Sequence, residues 1–112
     1  MKHKTAELTG PLLDAAVAMA NGWPRHHEFP ALGWSVNGIL MPVEEWQPST
    51  NWGDGGPIID QHDIHVGGYG TCRSGEIRDD SRPWVTMWGE TALIAAMRAY
   101  VAFKLGDEVG LP

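Results

Sequence analysis

Gly89-Glu90-Thr91-Ala92-Leu93-Ile94-Ala95-Ala96-Met97-Arg98-Ala99-Tyr100-Val101-Ala102-Phe103-Lys104-Leu105-Gly106 is the stretch on which the fold turns. Gly89-Glu90-Thr91 offers a cap, Ala92 to Leu105 holds no Gly or Pro, and Gly106 supplies a stop. Leu93, Ile94, Met97, Tyr100, Val101 and Leu105 fall on one stripe, and alanines cover much of the remaining surface. Arg98 and Lys104 are the only charges between Ala92 and Leu105. A helix this apolar is buried on more than one side, so the rest of the chain must supply its cover.

Immediately upstream, Pro83-Trp84-Val85-Thr86-Met87-Trp88 alternates as a strand, with both tryptophans on one face and Val85 and Met87 on the other. Neither face is polar, which predicts cover on both sides or contact with a partner. At the other end, Thr9-Gly10-Pro11 opens a second Ala-rich helix over about 11–21. Thr9 is placed to cap it, Asp14 favours its positive end, and Asn21-Gly22 ends it. Leu12, Leu13, Ala16, Val17 and Ala20 form its apolar repeat.

Between these helices lies Trp34-Ser35-Val36-Asn37-Gly38-Ile39-Leu40-Met41, a hairpin signature whose Asn-Gly pair suits a type I′ turn. Pro42 closes its second strand. Val43 to Pro57 reads as a long loop, because Pro48, Gly53, Gly55, Gly56 and Pro57 oppose regular structure. Ile58-Ile59 opens a short strand reaching Ile64 and Val66, and Gly67 to Arg82 reads as a charged, Gly-rich hairpin. The expected fold is therefore α+β: a small, mostly antiparallel sheet with two Ala-rich helices packed against it, in one domain spanning 1–112.

Composition excludes several classes. The chain has 112 residues, 43% hydrophobic and six of them Trp, which argues for a packed core over disorder. Its 22 Gly and Pro (14 and 8) stay below the share expected of low-complexity chains. Cys72 is the only cysteine, so neither an internal disulfide nor a Cys-based zinc site forms within one chain, and a reducing cytoplasm fits. Met1-Lys2-His3-Lys4 is not followed by the apolar run of a signal peptide, and no stretch is long enough to span a bilayer. The net charge of −6 disfavours nucleic acid, since Arg73, Arg78 and Arg82 are interleaved with Glu76, Asp79 and Asp80 in what reads as a solvated loop. The six tryptophans accordingly read as core packing rather than base stacking.

Candidate chemistry gathers in the middle of the chain. Pro48-Ser49-Thr50-Asn51-Trp52-Gly53-Asp54-Gly55-Gly56-Pro57 combines small hydroxyl and amide side chains, an aromatic ring, a carboxylate and flexible glycines, the ingredients of a ligand-contacting loop. Ser49, Thr50, Asn51, Trp52, Asp54, Gly55 and Gly56 are its candidate contacts. The competing reading makes Ser49 to Asp54 a capped turn with Trp52 folded onto the core. Asp60, His62, Asp63 and His65 follow closely, but in a strand His62 and His65 point to opposite faces. They therefore read as surface histidines, and His26-His27 adds nothing that requires a ligand.

Three blocks carry a family resemblance. They are Lys4-Thr5-Ala6-Glu7-Leu8-Thr9-Gly10-Pro11-Leu12-Leu13-Asp14; Pro48-Ser49-Thr50-Asn51-Trp52 with Gly55-Gly56-Pro57-Ile58-Ile59; and Thr91 to Val101 with Lys104-Leu105-Gly106-Asp107-Glu108-Val109. In this order they resemble the NinX-like family of bacteriophage and prophage proteins. The chain departs from the family pattern at Asn51, often Asp, and at Phe103, often a small polar residue. The resemblance implies a phage-derived accessory protein in the cytoplasm of a bacterial host, and it brings no catalytic residues with it.

The expected function is a non-catalytic binding protein that contacts a small ligand or a protein partner through the Ser49–Pro57 loop. It needs no metal or cofactor, no membrane and no nucleic acid, and it leaves room for a homo-oligomer. The alternative is a small hydrolase using Asp54, Asp60, His62 or His65 as acid–base groups.

Overall fold

The computed structural model describes residues 2–79 and 82–111, without the side chains of Asp79, Arg82 and Pro83. Asp80, read above as part of a solvated charged run, lies outside the described residues. The elements in chain order are β1 (Lys2–Lys4), α1 (Gly10–Ala20), β2 (Gly33–Val36), β3 (Ile39–Pro42), α2 (Trp52–Gln61), β4 (His65–Tyr69), β5 (Cys72–Asp79), β6 (Arg82–Gly89), α3 (Ala92–Leu105) and β7 (Glu108–Gly110). The fold is α+β. The strands form three small antiparallel sheets, β1-β7, β2-β3 and β4-β5-β6, rather than a single one.

Helix α3 is the centre of the molecule. Met97, Val101 and all its alanines from Ala95 to Ala102 are buried. The Thr91 hydroxyl caps its start by accepting from the Ile94 N–H at 3.1 Å. The inner face of the β4-β5-β6 sheet lies against it so closely that a Cβ at Gly75 would stand 2.5 Å from the Ala95 carbonyl oxygen. Helix α1 packs on another side of α3, placing Leu13, Ala16 and Val17 in the same core. Leu12, assigned to the apolar stripe by its spacing, is largely exposed. The termini close the structure: Thr5 Oγ1 donates to the Gly106 carbonyl at 2.7 Å, and β1 pairs with β7.

The Asn-Gly hairpin forms as expected, with Asn37 and Gly38 both at positive φ (54° and 83°). Several expectations fail in whole or in part. Thr9 makes no side-chain bond at the start of α1, and Asp14 lies past the first turn, buried rather than at the dipole end. Residues 52–61, read as loop and then strand, form α2 despite three glycines and Pro57. The hairpin expected over 67–82 forms as β4 with β5 and runs on into β6 as a three-stranded meander, whereas only 65–66 of the proposed 58–66 strand is strand. Of the two alternatives for β6, cover on both sides is not what the described residues give: Val85 and Met87 turn inward to the core, while the Trp84 and Trp88 indoles are more than half exposed, which leaves contact with a partner. Core packing thus accounts for Trp34, Trp46 and, in part, Trp23, whereas Trp52, Trp84 and Trp88 lie at the surface.

Candidate binding site

The segment singled out from the sequence is built onto α1 by one buried carboxylate. Asp14 Oδ1 accepts the Ser49 N–H at 2.8 Å, and the Asp14 carbonyl accepts the Trp46 indole N–H at 3.1 Å. Burial pushes the Asp14 carboxyl above its ordinary range; the hydroxyl and N–H of Ser49 pull it down, and the charge of Asp54 raises it again. The Ser49 hydroxyl itself is buried without a partner at hydrogen-bonding geometry, so it acts on Asp14 as a nearby dipole while the N–H carries the bond.

From Ser49 the chain turns into α2. Asn51 Oδ1 accepts the Gly53 N–H at 2.7 Å, and Asp54 Oδ2 reaches back to the Gln47 N–H at 2.9 Å. Both side chains satisfy N–H groups that the start of the helix and the preceding turn would otherwise leave open. A Cβ at Gly55 would collide with the Pro48 carbonyl and approach Leu93 Cδ2 to 2.7 Å. Gly55 therefore lets α2 seat against the start of α3, which is a packing role and not ligand access. Gly56 is open by comparison, with only Trp52 Cε3 nearby at 3.8 Å.

The capped-turn reading is thus correct for Asn51 and Asp54, but the ring does not fold inward. Trp52 is 57% exposed. It borders a cleft of about 440 Å³ together with Ser49 and Thr50 and, from the opposite wall, Arg73, Glu90 and Thr91. Gly53 and Asp54 face the other way, onto a cleft of about 500 Å³ whose walls include Asn21, Trp23, His62, Tyr100 and Lys104. The segment is a ridge between two clefts. Asn51, Gly55 and Gly56 line neither.

The histidines separate in the way their spacing suggested, although for a different reason. His62 ends α2 with its ring 4.8 Å from that of Tyr100, and burial and the charge of Lys104 hold its pKa below the ordinary imidazole value. His65 begins β4, exposed, 3.9 Å from the Asp63 carboxylate. His26 is not a surface histidine: it is buried, and its Nδ1 accepts the N–H groups of Glu28 and Phe29 at 3.2 Å. Among the described residues, no group of three or more His, Cys, Asp or Glu side chains stands close enough to hold a metal ion. Nor does any helix among them have the length and apolarity to cross a membrane.

Arg73, Thr91, Asn21, Tyr100 and Lys104 were missed as cleft residues, since each comes from an element distant in sequence. Lys104, one of only two charges on an otherwise apolar helix, was the one local signal.

Fold and clefts together describe a small α+β protein in which one capped helix is wedged between two surface hollows. The chain belongs to the family described as Bacteriophage P22, NinX, whose model matches residues 4–104. That match takes in the opening block, the Pro48–Ile59 segment and nearly all of α3. No curated protein matches the chain.

Proposed function

We propose that this NinX-family chain is a non-catalytic binding protein of the bacterial host cytoplasm that takes a small ligand, or a protruding group of a protein partner, beside Trp52. The observation that carries the reading is the Trp52 indole, more than half exposed at the mouth of a cleft that also holds Thr50, Thr91 and Arg73. An exposed ring on a helix that is pinned at both Asn51 and Asp54 is an inexpensive platform, since little of it must be ordered on binding. The matching ligand has a flat apolar face for the indole and an anionic edge for Arg73, with the two hydroxyls as further hydrogen-bonding groups.

A fragment set of aromatic carboxylates and phosphates, followed by amide chemical shifts, tests this. Shifts should centre on Thr50, Trp52, Arg73 and Thr91. Trp52→Ala should abolish them, a loss of ~2 kcal/mol or more in affinity for such an anchor, with the melting temperature nearly unchanged. Shifts confined to other surfaces, or a Trp52→Ala chain that unfolds, would refute the proposal.

The second reading, an acid–base hydrolase, rests on Asp54 and His62 facing the same 500 Å³ cleft. Asp60 and His65 do not join them there, and the Asp54 carboxylate is already bonded to the Gln47 N–H. Ester hydrolysis lost in both His62→Gln and Asp54→Asn would favour this reading.

A further inference from the structure

The outer face of the β4-β5-β6 sheet has an aromatic edge without a covering element among the described residues. Strand β6 lies at the end of the sheet order, so no strand pairs with one side of it there; near its end the Trp88 carbonyl accepts Arg98 Nη1 at 2.6 Å, an exposed bond that an incoming strand would have to displace or share. Its residues alternate strictly between half-buried and exposed, with Trp84 at 59% and Trp88 at 57% on the outward face. Between them is Thr86, opposite Glu76 in the register. An exposed apolar edge strand of this length is a template for another strand, and proteins normally blunt such edges with short strands or charges. The opposite edge is blunted: β4 is shorter, and Gly68 within it has φ +88°.

The order Trp84-Val85-Thr86-Met87-Trp88 is nearly palindromic. An antiparallel copy centred on Thr86 would set Thr86 against Thr86, and each Trp84 against a Trp88 of the second chain. Such cross-strand aromatic pairs bring Cβ atoms to roughly 4.5–5.5 Å and are stabilising. Isologous pairing requires this kind of self-complementary surface.

Charge is consistent with a second copy despite the net −6. Arg78 is held by Glu76, at 3.1 Å, and lies 3.5 Å above the Trp84 ring, so the cation and anion of this face neutralise each other. The same pairing argues against a polyphosphate occupant, because Arg78 is already committed. Arg73 alternates to the inner side, opposite Gly68 and Gly89.

We propose that two copies of this chain pair antiparallel along β6, centred on Thr86, into one continuous six-stranded sheet. Sedimentation of the full chain should give a concentration-dependent species of twice 12.3 kDa. Trp84→Glu and Trp88→Lys each put a charge opposite an indole of the second copy, and each should weaken association at least tenfold. Mixed one to one, the two variants should recover a dimer, because the introduced carboxylate then faces the introduced ammonium while the remaining tryptophans pair. Both positions are solvent-exposed, so at concentrations low enough that the parent is also monomeric the variants should melt as it does.

In a Cys72→Ser background, Thr86→Cys should oxidise to a covalent dimer, and Ile39→Cys, exposed on a different hairpin, should not. A chain still monomeric at on the order of 1 mM, the weak end of the affinity scale, would overturn the proposal, as would a mixture that stays monomeric. Tryptophan quenching of a monomer by oligothymidylate, lost in the same variants, would assign the face to single strands instead and equally overturn it.

Discussion

Helices α2 and α3 start in the same way and stand for opposite things. Each is capped by a side chain that accepts a backbone N–H, Asn51 in one and Thr91 in the other. Beyond the cap they diverge. Helix α3 has no Gly or Pro and is buried along most of its length, whereas α2 has three glycines and a proline and buries only Gly55 and Ile58. The first is stabilised by the apolar surface it removes from water. The second is held by polar bonds at its entrance and by close backbone contact at one glycine. A rigid core helix and a tethered surface helix are the pairing expected where a site is mounted on a scaffold.

If α3 is the scaffold, the largest effect should come from charging its centre. Met97 is fully buried, so Met97→Asp should cost on the order of 3–5 kcal/mol. At about 4 °C or more per kcal/mol, calorimetry should show a fall of more than 10 °C or no cooperative transition. A variant melting within a few degrees of the parent would remove α3 from the centre of the fold.

The tether is tested next. Asp14→Ala leaves the buried Ser49 N–H without its acceptor, at a cost of ~1–3 kcal/mol. Asp14→Asn keeps an acceptor and should lose clearly less. Hydrogen exchange should show the loosening at residues 46–54 before it appears in α3. Equal loosening in both would mean that the two helices are a single cooperative unit and that the comparison fails.

Two adjacent glycines sharpen it further. Gly55→Ala drives a Cβ into the Pro48 carbonyl and Leu93, which should cost ~1–3 kcal/mol as overpacking does. Gly56→Ala meets open space and should be neutral or stabilising by up to ~1 kcal/mol, the helix-propensity difference. Denaturant midpoints of the two variants should therefore move in opposite directions, or one should not move.

The smallest effect concerns pH. The folded chain holds His62 below its ordinary pKa, chiefly by burial and then by Lys104. Protonation is easier in the unfolded chain, so stability should fall as pH drops below about 6.5, the unperturbed imidazole value. His62→Gln should flatten that part of the profile. Asp14 has the opposite sign: with its folded pKa raised above 3.8, its contribution is full below that value and is lost as pH rises through the raised pKa. Asp14→Asn should remove this second slope, measured by denaturant titration between pH 3 and pH 6, and leave the first in place.

Both Ala-rich helices, the Asn37-Gly38 turn and the strand before α3 were legible in the residues, because local periodicity and turn chemistry specify them. Helix α2 was not. Three glycines and Pro57 speak against a helix one residue at a time, and the local Asn51 cap is joined by non-local support: the Asp14 carboxylate that positions Ser49 and the gap beside Leu93 that only Gly55 fits. The same reason hid the second halves of both clefts, since Arg73, Thr91, Tyr100 and Lys104 meet the segment only through tertiary packing. Sequence alone determined which elements are strong enough to form on local terms. Tertiary structure decided how the weak one folds, which way Trp52 and Trp84 face, and therefore where this protein has surface to offer, because burial and close contact are properties of neighbours distant along the chain.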